Sequence, residues 1–78
     1  MNKSNHKSLD LHGKTHSEAE VLIDEFIIKN IDKLPIEVIT GNSVIMQNIL
    51  KSIIENHNLR MVPSHPDNLG SYIITEQL

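Results

Sequence analysis

Two polar residues two positions apart, Asp10 and His12, are the side chains of this sequence best suited to acid–base chemistry. They alternate with Leu9 and Leu11, a pattern typical of a half-buried strand whose polar and apolar side chains face opposite sides. An imidazole gains and loses protons near neutral pH, and a neighbouring carboxylate can orient it or hold a divalent ion. The alternation therefore predicts an acid–base pair on the open face of a sheet, with both leucines beneath the helices.

A second polar segment, Thr40-Gly41-Asn42-Ser43, lies between a predicted strand and a predicted helix. The carboxyl ends of parallel strands meet at one sheet edge, and the N–H groups at a helix start favour phosphate. We therefore expect the His12–Gly13 loop to neighbour the Gly41–Asn42 loop along a concave, anion-binding edge. The candidate phosphate ligands are the residues of the two loops: Gly13, Lys14, Thr40, Gly41, Asn42 and Ser43. Alternatively, Gly41 is a turn glycine and Lys14 a solvated charge.

Helix and strand signals alternate along the chain. After a strand over Leu9–His12, a capping box of either Thr15 to Glu18 or Ser17 to Glu20 begins a first helix. Its apolar stripe consists of Ala19, Leu22, Ile23, Phe26, Ile27 and Ile31. Pro35 ends this region, and the β-branched segment Ile36 to Thr40 predicts the second strand.

The second half of the chain begins with Ser43, a suitable N-cap for a second helix. The apolar stripe of this helix consists of Met46, Ile49, Leu50, Ile53 and His57. Leu59–Val62 and Ser71–Thr75 are predicted strands. The segment between them, Pro63 to Gly70, contains two prolines and a glycine and is predicted to be a loop.

These signals predict the order β-α-β-α-β-β and an α/β fold of the two-layer α+β type. We expect a four-stranded mixed sheet with two helices on one face, the first two strands parallel and the last one antiparallel. The predicted core consists of Leu9, Leu11, Leu22, Ile23, Phe26, Ile27, Val38, Ile49, Leu50 and Ile53.

The composition is that of one small domain. We expect residues 8–78 to form the domain and residues 1–7 to be a flexible polar tail without the apolar stretch of a secretory signal. No apolar run could span a membrane, and the lack of cysteine fits the cytoplasm. The net charge of −3 argues against tight, sequence-blind binding of nucleic acid. However, residues 1–17 are mildly basic, whereas residues 18–25 are acidic.

The remaining histidines have simpler interpretations. We expect His16 at the surface of the first helical turn, His57 at the end of the second helix and His65 in a loop. The five histidines lack the spacing of metal ligands, so no structural metal site is predicted from them. Asp10 has a simple alternative as well, as a solvated residue or as the acceptor for a neighbouring backbone N–H.

The segment Leu9-Asp10-Leu11-His12-Gly13 resembles the LDLHG motif that opens domains of the Smr (small MutS-related) family. Glu18-Ala19 follows it, as in that family, and Thr40-Gly41 stands where the family has a TGxG or HGxG motif. Asn68-x-Gly70 resembles the closing glycine-containing turn, so that the resemblance extends over nearly the whole chain.

The sequence departs from the family pattern in its second motif, because Ser43 replaces the second glycine. Val44-Ile45 stand where His-Ser often follows that glycine.

The resemblance implies a short, free-standing Smr domain, similar in fold to the C-terminal domain of translation initiation factor three. It further implies nucleic-acid binding with endonuclease activity, on RNA somewhat ahead of DNA, and Mg²⁺ is a candidate cofactor. Asp10 and His12 would be catalytic, and Thr40-Gly41 would lie at the phosphate.

Two alternatives to an endonuclease stay open at this point. The first is a non-catalytic nucleic-acid-binding module, in which base stacking would depend mainly on Tyr72. The second is a small protein-interaction adaptor, either a homodimer or bound to a partner protein. Its contact patch would be Ile39, Ile73 or Ile74 on the uncovered face of the sheet.

Overall fold

The structure, a computed structural model, describes residues 6–77. Its elements follow the predicted order β-α-β-α-β-β. They are the strands β1 (Ser8–Asp10), β2 (Ile36–Ile39), β3 (Leu59–His65) and β4 (Asn68–Glu76), and the helices α1 (His16–Lys29) and α2 (Val44–Asn56). Residues 1–5 of the predicted tail and residue 78 lie outside the described part. No helix in that part is long and apolar enough to cross a bilayer.

The four strands form one mixed sheet in the order β1-β2-β4-β3. β1 and β2 are parallel, whereas β4 is antiparallel to both of its neighbours. The predicted α+β architecture is therefore confirmed. Because β4 is inserted between β2 and β3, its first residues lie beside the carboxyl end of β2, where Ser71 pairs with Ile39.

One hydrophobic core joins the helices to one face of the sheet. Five residues of the predicted core are fully buried, namely Leu11, Ile23, Ile27, Val38 and Leu50. The other five are partly buried and pack against them, namely Leu9, Leu22, Phe26, Ile49 and Ile53. The core also contains buried residues outside the prediction, namely Ala19, Ile36, Met46, Ile54, Leu59, Tyr72 and Ile74.

The prediction of a loop from Pro63 to Gly70 is wrong. β3 continues to His65 and β4 begins at Asn68, so the two strands form a hairpin. Pro63 pairs with Tyr72, and the ladder is irregular between Pro63 and His65. A proline is tolerated here because β3 is the edge strand of the sheet, and an edge strand can spare the N–H that proline lacks.

The proposed surface roles of Tyr72 and Ile74 are also wrong. Both side chains lie on the core face of β4, where Tyr72 is only 8% exposed and Ile74 is fully buried. Neither residue can stack on a base or form a dimer patch in this fold. Ile39 and Ile73, which alternate with them on the paired strands, are half-buried on the open face.

The first helix is shorter than its apolar stripe predicts. α1 ends at Lys29, and the side-chain amide of Asn30 donates a hydrogen bond to the Phe26 carbonyl oxygen at 2.9 Å. The chain then forms a short 3₁₀ turn over Ile31–Lys33. Ile31 is therefore exposed and does not extend the stripe.

Candidate functional site

The first candidate loop begins where β1 ends. The Leu11 N–H donates to the Ile39 carbonyl oxygen at 2.9 Å, so the pairing with β2 extends one residue past Asp10. The Lys14 N–H then donates to the Leu11 carbonyl oxygen at 3.0 Å and closes a four-residue turn. Gly13 is the third residue of this turn and has a φ of 77°, a conformation that favours glycine. His12 is thus exposed at the corner of a turn rather than on a strand.

Asp10 stabilises this turn through the backbone. Its Oδ1 accepts a hydrogen bond from the His12 N–H at 2.9 Å. Asp10 and His12 are both exposed, whereas Leu11 between them is buried, as the alternation predicts. The hydrogen bond of the carboxylate, however, goes to the backbone of His12, which is the simpler role considered for Asp10.

The second candidate loop is held against the start of β4. The N–H groups of Thr40 and Gly41 both donate to the Gly70 carbonyl oxygen, at 2.8 and 3.0 Å. The buried Thr40 hydroxyl donates to the Gly41 carbonyl oxygen at 2.8 Å. Both hydrogen-bond donors of Thr40, its N–H and its hydroxyl, therefore have acceptors inside the protein.

Gln47 braces the same loop from α2. Its side-chain amide donates to the carbonyl oxygens of Gly41, at 3.2 Å, and Leu69, at 2.9 Å. Gln47 is not among the residues expected at this site from the sequence. Its position one turn after Ser43, with an amide able to donate twice, is the only sequence signal for this role.

Ser43 is the N-cap of α2, as predicted. Its hydroxyl accepts from the Met46 N–H at 3.1 Å, and its carbonyl oxygen accepts from the Gln47 N–H at 3.0 Å. Among residues 6–77, the N–H groups of Asn42, Ser43, Val44 and Ile45 have no protein acceptor. The first turn of α2 contains no acidic residue, so the positive end of its dipole is uncompensated.

The start of α1 differs from that of α2 because a carboxylate of α1 itself, that of Glu18, lies there. Thr15 and Glu18 form a capping box in which the Thr15 N–H donates to the Glu18 carboxylate at 2.9 Å. This hydrogen bond lowers the pKa of the Glu18 carboxyl below its ordinary value, and the nearby Lys14 ammonium acts in the same direction. The alternative frame from Ser17 to Glu20 is not the one used. Lys14 therefore lies beside a carboxylate that partly balances its charge.

The two candidate loops lie at the same edge of the sheet, as predicted. They follow neighbouring parallel strands in which Asp10 is in register with Ile39. The β3–β4 hairpin also reaches this edge, since Gly70 accepts hydrogen bonds from the second loop. The concave surface expected at this edge stays a prediction. Three surface depressions, between α1 and α2, between α2 and β3, and at the start of α1, lie elsewhere and are lined by neither His12–Gly13 nor Gly41–Asn42.

The arrangement of carboxylates and imidazoles does not form a metal cage in the part of the chain from residue 6 to residue 77, where no three such side chains come together. Asp10 offers one exposed carboxylate, of which one oxygen already accepts the His12 N–H. Mg²⁺ bound by a single carboxylate keeps most of its water ligands and needs substrate phosphate to complete its shell.

A further polar cluster lies on the open face of the sheet. The Glu37 carboxylate accepts hydrogen bonds from the hydroxyls of Ser71, at 2.6 Å, and Ser64, at 3.0 Å. The two hydroxyl oxygens are 2.8 Å apart. The alternation in β2 places Glu37 on this face, but its serine partners come from β4 and β3. Sequence reasoning missed the cluster because it had assigned Ser64 to a loop.

Comparison of the chain with protein-family models, with curated proteins and with solved structures found no match. The Smr resemblance and the similarity to the C-terminal domain of translation initiation factor three therefore stay predictions from the sequence motifs.

Proposed function

We propose that this chain is a Smr-type domain that binds the phosphate backbone of a nucleic acid at the carboxyl edge of β1 and β2. The observation that carries the proposal is the row of consecutive N–H groups from Asn42 to Ile45, which have no acceptor within the described chain. Such a row at a helix start binds phosphate oxygens through hydrogen bonds and through the helix dipole.

The two helix starts at this edge differ in charge, and only one of them suits a phosphate. The start of α1 is occupied by the Glu18 carboxylate, which repels phosphate. The start of α2 is free of acids, and its neighbouring loop is held rigidly by Gly70 and Gln47. A phosphate therefore fits best at Asn42–Ile45, slightly further along the chain than the Thr40-Gly41 position that the resemblance implies.

The arrangement of the motif-bearing segments also supports the proposal. The LDLHG segment ends in the His12–Gly13 turn, Thr40-Gly41 follows the adjacent strand, and Gly70 contacts Thr40 and Gly41. Segments far apart in the sequence thus meet at one edge, as expected if they serve one site. The cysteine-free sequence favours the cytoplasm as the place of this activity.

Strand cleavage, on RNA ahead of DNA, is the finer part of the proposal, and His12 is the group that would perform it. Its imidazole is exposed at the corner of the turn after β1, at the same sheet edge as the proposed phosphate position. From there it would accept a proton from the attacking oxygen or donate one to the leaving oxygen of a phosphodiester. Asp10 acts as a positioning residue, because its carboxylate holds the turn that carries His12.

Binding without cleavage is the second candidate function, and a specific observation favours it. The Asp10 carboxylate binds the His12 backbone, so the described contacts show no carboxylate that orients the imidazole ring. The net charge of −3 further predicts weak, salt-sensitive binding, since few phosphates can be neutralised.

The test is a titration of the amide spectrum of the full chain with short single-stranded RNA and DNA, followed by a cleavage assay with and without Mg²⁺. We expect the largest shifts at Asn42–Ile45 and His12–Lys14. Shifts confined to other surfaces, or none at all, would refute the proposed site. Binding without any cleavage would leave the non-catalytic module as the function.

A further inference from the structure

The outer surfaces of α1 and α2 form a groove that the proposed function does not use. It has a volume of about 780 Å³ and runs along both helices. On α2 it extends from Ile45 to Asn56, a distance of about 16 Å at the rise of an α-helix. That length accommodates about three turns of another helix.

The floor of the groove is apolar and accessible to solvent. Val21 is 56% exposed and Ile45 is 57% exposed, although both are large hydrophobic residues. Between them, Ile49 and Ile53 line the groove and are only half-buried. Contiguous exposed apolar side chains of this kind mark interaction surfaces more often than scattered ones do.

The rim of the groove is acidic on one side and uncharged on the other. Glu20, Asp24 and Glu25 line it from α1, and the polar lining residues from α2 are Asn48, Ser52 and Asn56. Among residues 6–77, no lysine or arginine lines the groove. The Asp24 carboxylate is 2.7 Å from His57 Nε2, so at most one of these acids is balanced, and only when that imidazole is protonated.

We propose that this α1–α2 groove binds a basic amphipathic helix of a partner protein. An apolar stripe on that helix would cover Val21 and Ile45, and its lysines or arginines would face the acidic rim. This is the helix-in-groove mode of recognition, in which apolar anchors supply affinity and charge supplies selectivity.

The charge of the rim disfavours the other occupants. A second copy placed with α1 over α1 would bring the acidic sides of the two grooves together, and a nucleic acid would be repelled by them. The groove also lies on the outer helical surface and shares only Ile45 with the phosphate position. Such a partner could hold the domain at its target while the sheet edge stays open.

The experiment uses the full chain and a designed amidated peptide of about 15 residues, containing leucine, alanine and lysine with the leucines on one helical face. A matched peptide with glutamate in place of every lysine serves as the charge control. We expect the basic peptide to shift the amide signals of groove residues and to bind at least about tenfold tighter than the acidic one at low salt.

Two variants of α1 test the location. Val21→Ser removes an exposed apolar side chain from the floor and should weaken binding about tenfold. Ile28→Ser removes one that is 60% exposed but outside the groove, and should change the affinity less than about twofold. Glu20→Gln, which alters only the rim, should weaken binding at low salt and have little effect at high salt.

Several results would overturn the proposal: equal affinity for the two peptides, equal effects of the two serine variants, or no binding of the basic peptide. So would a dimer in sedimentation that Val21→Ser dissociates, because the occupant would then be a second copy. Nucleic-acid-induced shifts in the groove beyond Ile45, which also belongs to the phosphate position, would likewise assign it to a different ligand.

Discussion

Gly70 lies so close to Gly41 that even a methyl group at position 70 would crowd the Gly41 backbone. The Gly41 N–H donates to the Gly70 carbonyl oxygen at 3.0 Å, and a Cβ placed on Gly70 would lie 3.2 Å from the Gly41 carbonyl carbon. A contact of this length forces the neighbour to move by a few tenths of an ångström. The approach of β4 to the loop after β2 therefore depends on glycine at position 70.

Gly70→Ala should displace the loop and lower the free energy of unfolding by about 1–3 kcal/mol, since the added methyl overpacks a backbone contact. The measurement is urea denaturation together with the amide shifts of Thr40 and Gly41. Leu69→Ala, which alters an exposed neighbour in the same strand, is the control and should change both little. An unmoved loop in Gly70→Ala would show that the contact is not tight.

Ser71→Ala should destabilise the fold by about 1–3 kcal/mol, because a buried hydroxyl that donates to a carboxylate is lost. Ser71 is 9% exposed and its hydrogen bond to Glu37 is 2.6 Å long. Thermal and urea unfolding measure the effect, and Ser17→Ala on the exposed surface of α1 is the control. Equal stability of the two variants would mean that the hydrogen bond from Ser64 is enough to stabilise the Glu37 carboxylate.

Glu18→Gln should lower stability at about pH 7 and have no effect at about pH 2. The pKa of Glu18 is lowered in the folded chain from its ordinary value of 4.5, mainly by the Thr15 N–H. A lowered folded pKa contributes stability that is complete above the ordinary pKa and is lost as the pH falls through the folded pKa. Urea midpoints across this range measure the difference.

Glu25→Gln is the control for the capping-box prediction, since it removes the same charge from α1 outside the box. A pH-independent difference between Glu18→Gln and the parent chain would contradict the role assigned to the charge.

Val44→Glu should weaken binding of oligonucleotides about tenfold at low salt, because a carboxylate would compete with phosphate for the start of α2. The same change should raise stability by about 0.3–1 kcal/mol, since an acid in the first turn complements the helix dipole. Val44 is 67% exposed, so the core is unaffected. The expected result is therefore weaker oligonucleotide binding in a titration together with a higher free energy of unfolding in urea denaturation.

Ile28→Glu provides the matched charge control for Val44→Glu, because it introduces the same charge in the last turns of α1, away from the loops. Equal losses of affinity in the two variants would point to net charge rather than to a site at α2.

His12→Ala should slow strand cleavage about 10²–10⁴-fold, the usual effect of removing a general acid or base. The exposed imidazole contributes little packing, so stability and affinity should change little. Rates on short RNA substrates measure the effect, and His6→Ala, on the amino side of β1, is the control. Unaltered cleavage in His12→Ala would exclude this residue as the catalytic group.

The order of elements was predictable because its signals are local. Capping by Thr15 and by Ser43 depends on residues three positions away, and the stripes of α1 and α2 depend on helical periodicity. The same local logic failed at Pro63, where a turn-forming composition predicted a loop. A strand tolerates proline only where no neighbouring strand needs the missing N–H. Which side of β3 has a neighbour is set by the strand order of the sheet, and a local sequence pattern does not show that order.

The sequence by itself determined that Asp10, His12 and the loop after β2 would be brought together, since parallel strands joined by helices place their carboxyl ends at one edge. Only the tertiary structure decided which groups there stay available. β4 lies beside β2, so the Gly70 carbonyl oxygen accepts hydrogen bonds from the N–H groups of Thr40 and Gly41. The N–H groups from Asn42 to Ile45 have no acceptor among the described residues. The physical reason is that a hydrogen bond across the sheet depends on strand order, which no local pattern encodes.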